Sequence, residues 1–176
     1  MVVVWHDIIN SVFLLTATIG YCIFTVMKTT KENKMKTIKG NLIIEKNDQR
    51  DFSVLATVTG NVYVREGATF NAPVLATVTG NVDVREGATF NAPVLATVTG
   101  YVDVSKGATF NAPVLASIGS VYVTEGATFN APVLATVTGS VDVREGATFN
   151  APVLATVTGY VYVSKGATLT APVLAR

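Results

Sequence analysis

The twenty residues ATVTGNVYVREGATFNAPVL, at positions 56–75, decide the fold, because the same unit returns along most of the chain. Further copies occupy 36–55, 76–95, 96–115, 116–134, 135–154 and 155–174. The copy at 36–55 is diverged, and the copy at 116–134 has 19 residues because it lacks the one matching Thr59. Self-similarity at a fixed period is the signature of a repeat architecture in which stacked units share one core.

The segment GNVYVRE within the unit alternates apolar and polar residues with the period of two that is typical of a β-strand. Val62 and Val64 face one way, and Gly60 and Gly67 bracket the strand, while an Ala-Pro pair supplies a further corner. Frequent β-branched residues and a Gly or Pro at short intervals disfavour a helix. We therefore predict an all-β parallel solenoid of about seven rungs over residues 36–176, right-handed as parallel crossover units are.

Equivalent positions of stacked rungs form columns that run along such a solenoid. The columns predicted to lie inside are those of Val58, Val62, Val64, Phe70 and Val74. The spacing does not decide the direction of the Leu55 column, because these side chains face inward only if the chain turns a corner directly after Leu55. An amide ladder is predicted for the column Asn71, Asn91, Asn111, Asn130 and Asn150.

The pattern V-L-x-x-V-x-G-x-V-x-V-x-x-G-A-x-F resembles short-period bacterial β-solenoids. It is similar to receptor-L-type repeats, which are relatives of leucine-rich repeats, and to bactofilins. Gly60 and Gly67 at loop positions and the late Asn71 depart from the leucine-rich consensus and favour a straight β-helix over a horseshoe. Kinship with bactofilins implies a cytoskeletal polymer, and kinship with receptor-L repeats implies a ligand-binding surface.

Composition excludes several classes of function. Of the 176 residues, 49% are hydrophobic and 14% charged, with 13 basic residues against 12 acidic ones. This balance disfavours an intrinsically disordered chain and a nucleic-acid binder, which needs clustered uncompensated Lys and Arg. With one cysteine (Cys22) and one histidine (His6), we expect no disulfide framework, no Cys/His metal site and no cofactor.

The first 35 residues form a separate segment, which we predict to be a hydrophobic helix followed by a Lys-rich linker. Residues 8–27 contain no charged residue or histidine, which is about the length that spans a bilayer. The lysines that follow predict a single-pass anchor with the solenoid in the cytoplasm. A cleaved signal peptide is disfavoured, because no Lys or Arg precedes the apolar run. If translation instead starts at Met35, the protein is expected to be soluble and cytoplasmic.

Variation among the copies is concentrated at outward strand positions, which makes these the candidate interaction surface. The residues are Tyr63, Asp83, Asp103, Tyr122, Asp142 and Tyr162 in one column and Arg65, Arg85 and Arg144 in the next. They are interpreted either as a solvated face that avoids long runs of like charge or as a striped surface that binds a sugar, a peptide or another solenoid. Asp83 and Asp103 would lie one rung apart, a separation that suits the carboxylate pair of a retaining glycosidase.

A Thr-x-Thr series gives a further alternative, since it resembles the ice-binding face of repetitive antifreeze solenoids. The array comprises Thr57, Thr59, Thr77, Thr79, Thr97, Thr99, Thr136, Thr138, Thr156 and Thr158. Threonine also suits any exposed β position, and the 19-residue copy, with Ser117 and Gly119, interrupts the array.

The two ends of the repeat differ in charge. The first copy carries Glu45, Lys46, Asp48, Arg50 and Asp51, as a cap that discourages edge pairing would. The last copy ends in TLTAPVLAR and has no such cap, so either the chain is a fragment or this end stacks on a partner. We predict a non-enzymatic repeat scaffold or protein-interaction module that is tethered to a membrane and associates end to end. A ligand- or glycan-binding surface is the alternative.

Overall fold

The computed structural model describes residues 36–174, together with the backbone of four short strands that precede them. The chain divides into two compact units, residues 1–34 and 35–176. All the described elements are strands, and the second unit is the parallel β-solenoid predicted from the repeat. We number its turns as rungs 1 to 7, in the order of the seven sequence copies.

The first unit contains two antiparallel strand pairs. They are His6–Asp7 with Ser11–Val12, and Leu14–Thr18 with Tyr21–Thr25. The backbone described within residues 8–27 is therefore extended, and the helix predicted there is not confirmed. The rest of that segment and all its side chains lie outside the described residues, so its insertion into a membrane stays a prediction. In the part of the chain that the structure describes, no helix is long and apolar enough to cross a membrane.

Three parallel sheets form the sides of the solenoid. Each rung contributes one strand to each sheet, except that the described strands of the Phe sheet begin in rung 2. The Thr sheet contains Lys36–Ile38, Leu55–Val58, Thr77–Val78, Thr97–Val98, Ser117–Ile118, Thr136–Val137 and Thr156–Val157. The Val sheet contains Leu42–Ile44, Val62–Val64, Val82–Val84, Val102–Val104, Val121–Val123, Val141–Val143 and Val161–Val163. The Phe sheet contains Thr69–Asn71, Thr89–Asn91, Thr109–Asn111, Thr128–Asn130, Thr148–Asn150 and Thr168–Thr170.

The 19-residue rung keeps this register because its missing residue falls at a corner. Ser117 pairs with Thr97 on the Thr sheet, and Val121 pairs with Val102 on the Val sheet. The deletion therefore shortens the outward corner between two strands and leaves the ladders on both sides intact.

The core confirms four of the five predicted interior columns and corrects the fifth. The columns of Val58, Val62, Val64 and Phe70 are buried from rung 2 to rung 6, whereas that of Val74 faces solvent and Val94 is 43% exposed. The Leu55 column, which the sequence left open, lies inside, and the Ala68 and Ala72 columns join it.

A turn explains why Val74 faces outward. Leu75 N donates a hydrogen bond of 3.2 Å to Ala72 O, which places Pro73 and Val74 at the two central positions of a β-turn. The chain therefore bends outward through Pro73 and Val74 and re-enters the core at Leu75. Strand alternation does not continue through such a corner.

Two stacks of identical side chains support the Phe sheet from opposite faces. Inside, the rings of Phe90, Phe110, Phe129 and Phe149 follow one another at centroid separations of 4.8, 5.0 and 4.8 Å. Outside, each asparagine amide donates to the amide oxygen one rung before it, at 2.9, 2.7 and 2.8 Å along Asn91, Asn111, Asn130 and Asn150. The predicted amide ladder is therefore confirmed over these four rungs.

Candidate interaction surface

The outward face of the Val sheet brings the predicted residues into one continuous column. Sheet register places them in the order Ile43, Tyr63, Asp83, Asp103, Tyr122, Asp142 and Tyr162. Successive members lie one strand spacing apart, about 4.8 Å. We call this set the central column.

Two aspartates of the central column are buried although they lie on its outward face. Asp83 is 4% exposed and Asp142 is 7% exposed. In each case the arginine two residues later folds back over the carboxylate. Arg85 Nη2 donates to Asp83 Oδ2 at 2.7 Å, and Arg144 Nη2 donates to Asp142 Oδ2 at 2.6 Å. The interpretation of the column as a solvated face therefore does not hold for these two aspartates.

The second oxygen of each of these carboxylates lacks a hydrogen bond. Asp83 Oδ1 and Asp142 Oδ1 are buried without a partner among the described residues. A buried unsatisfied acceptor costs about 1–3 kcal/mol. The Asp–Arg pairs are consequently not simple surface ion pairs, and each holds one carboxylate oxygen away from water.

Asp103 follows Asp83 in the column but has Ser105 in place of an arginine two residues on. Burial raises the pKa of Asp83, and the Arg85 and Arg65 guanidinium groups oppose this effect. Burial also raises the pKa of Asp103, and the neighbouring Asp83 carboxylate raises it further, against the attraction of Arg85. The two adjacent carboxylates therefore bind protons more readily in the folded chain than in the unfolded chain.

Replacing Asp103 by Asn is expected to stabilise the solenoid near pH 7 and to have no such effect in acid. A carboxyl whose pKa is higher when folded makes the protein more stable as pH falls towards its unfolded value of about 3.9, and less stable as pH rises. Thermal unfolding of the wild type and of Asp103→Asn between pH 4 and pH 7 measures the difference in midpoint. The comparison is Asp142→Asn, which breaks the ion pair with Arg144 and is therefore expected to destabilise the solenoid near pH 7. An equal gain from Asp103→Asn at both pH values would contradict the prediction.

Each tyrosine of the central column has a different partner. Asn61 Nδ2 donates to the Tyr63 hydroxyl at 2.8 Å. The ring of Tyr122 meets that of Tyr101 edge-on, with centroids 6.1 Å apart, and the guanidinium of Arg144 lies 4.8 Å from the ring centre of Tyr162. The tyrosines are therefore held in place by their neighbours.

Sequence reasoning missed two further exposed tyrosines beside the central column. Tyr101 is 37% exposed and Tyr160 is 59% exposed, and each lies directly before a strand of the Val sheet. Other rungs have Asn or Ser at this corner position, where a side-chain oxygen accepts a hydrogen bond from the backbone N–H one rung later. Asn61 Oδ1, for example, accepts from Asn81 N at 2.8 Å. The replacement of Asn or Ser by Tyr101 and Tyr160 at this position was the feature of the sequence that could have identified them.

The predicted threonine array lies in register on the Thr sheet and at the corner after it. Thr57, Thr77 and Thr97 pair along the sheet, and Thr136 pairs with Thr156. Ser117 interrupts this column at rung 5. The parallel column of Thr59, Thr79, Thr99, Thr138 and Thr158 has no member in that rung, because the deleted residue is the equivalent of Thr59.

A shallow groove of about 690 Å³ runs along the corner that follows the Val sheet. Charged and hydroxyl residues line it from Glu45 and Lys46 in rung 1 to Thr124 and Glu125 in rung 5. Two long ion pairs connect neighbouring rungs there. Arg65 Nε lies 3.9 Å from Glu45 Oε1, and Lys106 Nζ lies 3.9 Å from Glu125 Oε2. We call this feature the charged groove.

The two ends of the described solenoid are covered to different degrees. In rung 1, Leu42 and Ile44 are 2% and 0% exposed, whereas Val161 and Val163, which occupy the same columns in rung 7, are 40% and 39% exposed. Rung 7 therefore presents to solvent the side chains that fill the core in every other rung.

Residues of rung 1 itself contribute to its cover. The Arg50 side chain donates a hydrogen bond to Ile43 O, on the free edge of the Val sheet. The Phe52 ring packs edge-on against Phe70, with centroids 5.1 Å apart. The charge-rich copy thus behaves as the cap that its sequence predicts.

The Asp83–Asp103 pair, proposed from the sequence as a carboxylate pair for glycoside hydrolysis, is brought together on adjacent rungs. The burial of Asp83 leaves that carboxylate little access to a substrate. Within residues 36–174, no group of three or more His, Cys, Asp and Glu side chains is positioned to hold a metal ion.

These features define the chain as a parallel β-solenoid repeat protein with about seven turns of about 20 residues. Comparison of the chain with family models, curated proteins and solved structures gave no match. Its likeness to receptor-L-type repeats and to bactofilins therefore stays a prediction.

Proposed function

We propose that this protein is a structural scaffold whose copies associate through rung 7. The observation that carries the proposal is the exposure of core columns in that rung, where Val161 is 40% and Val163 39% exposed while Val141 and Val143 are fully buried one rung earlier. Burying such apolar area contributes about 25 cal/mol per Å² to association. Rung 7 of a second copy offers an apolar surface of the same shape, against which these side chains can be buried.

The backbone of rung 7 supports the same partner. Strand Val161–Val163 pairs only with Val141–Val143 among the described strands, so its other edge carries unpaired N–H and C=O groups. An exposed sheet edge is a template for pairing with another chain. Because side chains cover rung 1, contact between two copies of rung 7 is favoured over stacking of rung 7 on rung 1. The expected assembly is thus a closed dimer about a two-fold axis.

Replacing both Val161 and Val163 by Lys is expected to abolish this association. Two ammonium groups in the contact would have to lose their hydration, and the self-association constant measured by sedimentation equilibrium should fall about a hundredfold or more. The matched control is Val173→Lys, at another exposed valine of the same rung that belongs to an outward column. A chain that stays monomeric at every concentration tested, or a control that dissociates as fully as the double variant, would contradict the proposal.

A further inference from the structure

A charge pattern with a period of three rungs runs along the corner that follows the Val sheet, through the charged groove of rungs 1 to 5 and on through rungs 6 and 7. The column that follows the strands of the Val sheet reads Lys46, Glu66, Glu86, Lys106, Glu125, Glu145 and Lys165 from rung 1 to rung 7. All seven side chains are exposed. We call this set the Lys/Glu column.

The neighbouring columns repeat with the same period. Rungs 4 and 7 read YVDVSK at 101–106 and YVYVSK at 160–165, and each combines a corner tyrosine with Ser and Lys. Rungs 2, 3, 5 and 6 have Asn or Ser at the corner and Glu at the end of the segment. Residues 56–115 and 116–174 are therefore two copies of a three-rung unit, although their cores repeat every rung.

The core gives no physical reason for this longer period, because Val, Phe and Leu recur in each of rungs 2 to 6. Three strand spacings amount to about 14 Å along the solenoid. A partner that matches these charges over the whole Lys/Glu column needs charges at the same spacing. A second copy of this chain meets that requirement at every rung.

The sign of the charges fixes the register between two such copies. If equal rungs face each other, every Lys faces a Lys and every Glu faces a Glu, which is repulsive. If the copies are antiparallel and offset by one rung, rungs 2, 3 and 4 face rungs 7, 6 and 5. Glu66 then faces Lys165, and Lys106 faces Glu125 of the second copy.

The like-charged contact in this register, which occurs twice in the symmetric pair, has arginines beside it. Glu86 of rung 3 faces Glu145 of rung 6. Arg85 and Arg144 precede these glutamates, and each arginine side chain is about half exposed although it also holds an aspartate. A guanidinium has five N–H donors, so each arginine retains donors for the glutamate of the other copy. Of the three kinds of rung pair in this register, two therefore bring a Lys to a Glu, and the third has arginine donors beside its two glutamates.

We infer that two copies of this protein pair side by side and antiparallel through their Lys/Glu columns, with Lys106 of each copy facing Glu125 of the other. A two-fold axis between rungs 4 and 5 closes the pair. This contact is separate from the proposed association through rung 7. The two contacts differ in chemistry, since one is formed by exposed charges and the other by apolar side chains.

The dependence of association on salt concentration distinguishes the two contacts. Sedimentation equilibrium of the full chain carrying Val161→Lys and Val163→Lys removes the rung 7 contact and leaves the lateral one to be measured. Pairing is expected at about 0.01 M salt and is expected to be lost at about 1 M, where the Debye length falls to about 3 Å. Lateral pairing that is unchanged at about 1 M salt would overturn the inference.

A charge exchange tests the register in the same background. Lys106→Glu alone and Glu125→Lys alone each bring like charges together twice in the pair, and each is expected to weaken self-pairing about tenfold or more. An equimolar mixture of the two variants restores opposite charges at both positions and should form heterodimers. If the Lys106–Glu125 contact acts only within one chain, mixing the variants will restore nothing, which refutes the inference.

The matched control for this test is Lys46→Glu. It makes the same charge change in the same column, but rung 1 faces no rung of the second copy in the antiparallel register. Lys46→Glu is therefore expected to change pairing less than about twofold, the scale of a minor charge effect. Weakening by Lys46→Glu as large as that by Lys106→Glu would show that net charge, and not this register, governs association.

Discussion

Phe110→Ala is expected to lower the free energy of unfolding by about 3–5 kcal/mol, the range for removing a fully buried aromatic ring. The Phe110 side chain is 0% exposed and lies between Phe90 and Phe129, with ring centroids 4.8 and 5.0 Å away. Each rung contacts only its neighbours, and the hydrogen bonds of the sheets fix the distance between rungs. The surrounding turns cannot close over the cavity, so the cost should lie near the upper end of the range. Urea unfolding followed by circular dichroism measures it.

The control for this substitution is Thr109→Ala, on the same strand but with its side chain directed outward and half-buried. Its expected cost is below about 1 kcal/mol, because it changes only strand propensity and a surface contact. Equal losses at Thr109 and Phe110 would mean that the phenylalanine column does not form the core.

The period of 20 residues predicted the sheets because parallel stacking places equivalent residues side by side. Val62, Val82 and Val102 are consequently both sequence equivalents and neighbours in the sheet. The prediction erred at Val74 and left Leu55 open for one physical reason. Val74 lies inside the turn between Ala72 and Leu75, and Leu55 closes the equivalent turn that begins at Phe52. Alternation within strands does not encode such turns.

The sequence predicted which residues of the candidate site lie next to each other, but it did not predict how buried each side chain is. Asp83 and Asp103 are adjacent, as the repeat implies, yet Asp83 is 4% exposed and the Asp103 side chain is only half-buried. That difference arises from Arg85, which folds back over Asp83, while Ser105 is too short to do the same for Asp103. Burial of an outward side chain thus depends on the length of its neighbours, which a polar/apolar pattern does not record.

Gly80→Ala is expected to destabilise the solenoid by about 3 kcal/mol, as overpacking against the backbone does. A methyl group at Gly80 would lie 2.6 Å from both the carbonyl carbon and the oxygen of Gly60, the equivalent residue one rung earlier. The rungs cannot separate to admit it without loss, because Thr79 N donates to Val58 O at 3.0 Å and Asn81 N donates to Asn61 Oδ1 at 2.8 Å beside it. The cost at Gly80 is therefore steric.

Gly87→Ala provides the comparison that isolates this cause. Gly87 has a φ of +62°, in the left-handed region, and a methyl group there would meet nothing within 4 Å. Alanine at that position costs only backbone strain, about 1–2 kcal/mol. Urea unfolding of both variants should therefore rank Gly80→Ala as the more destabilising. The opposite ranking would show that the turn at Gly87, and not the close stacking of glycines along this corner, limits how tightly the rungs pack.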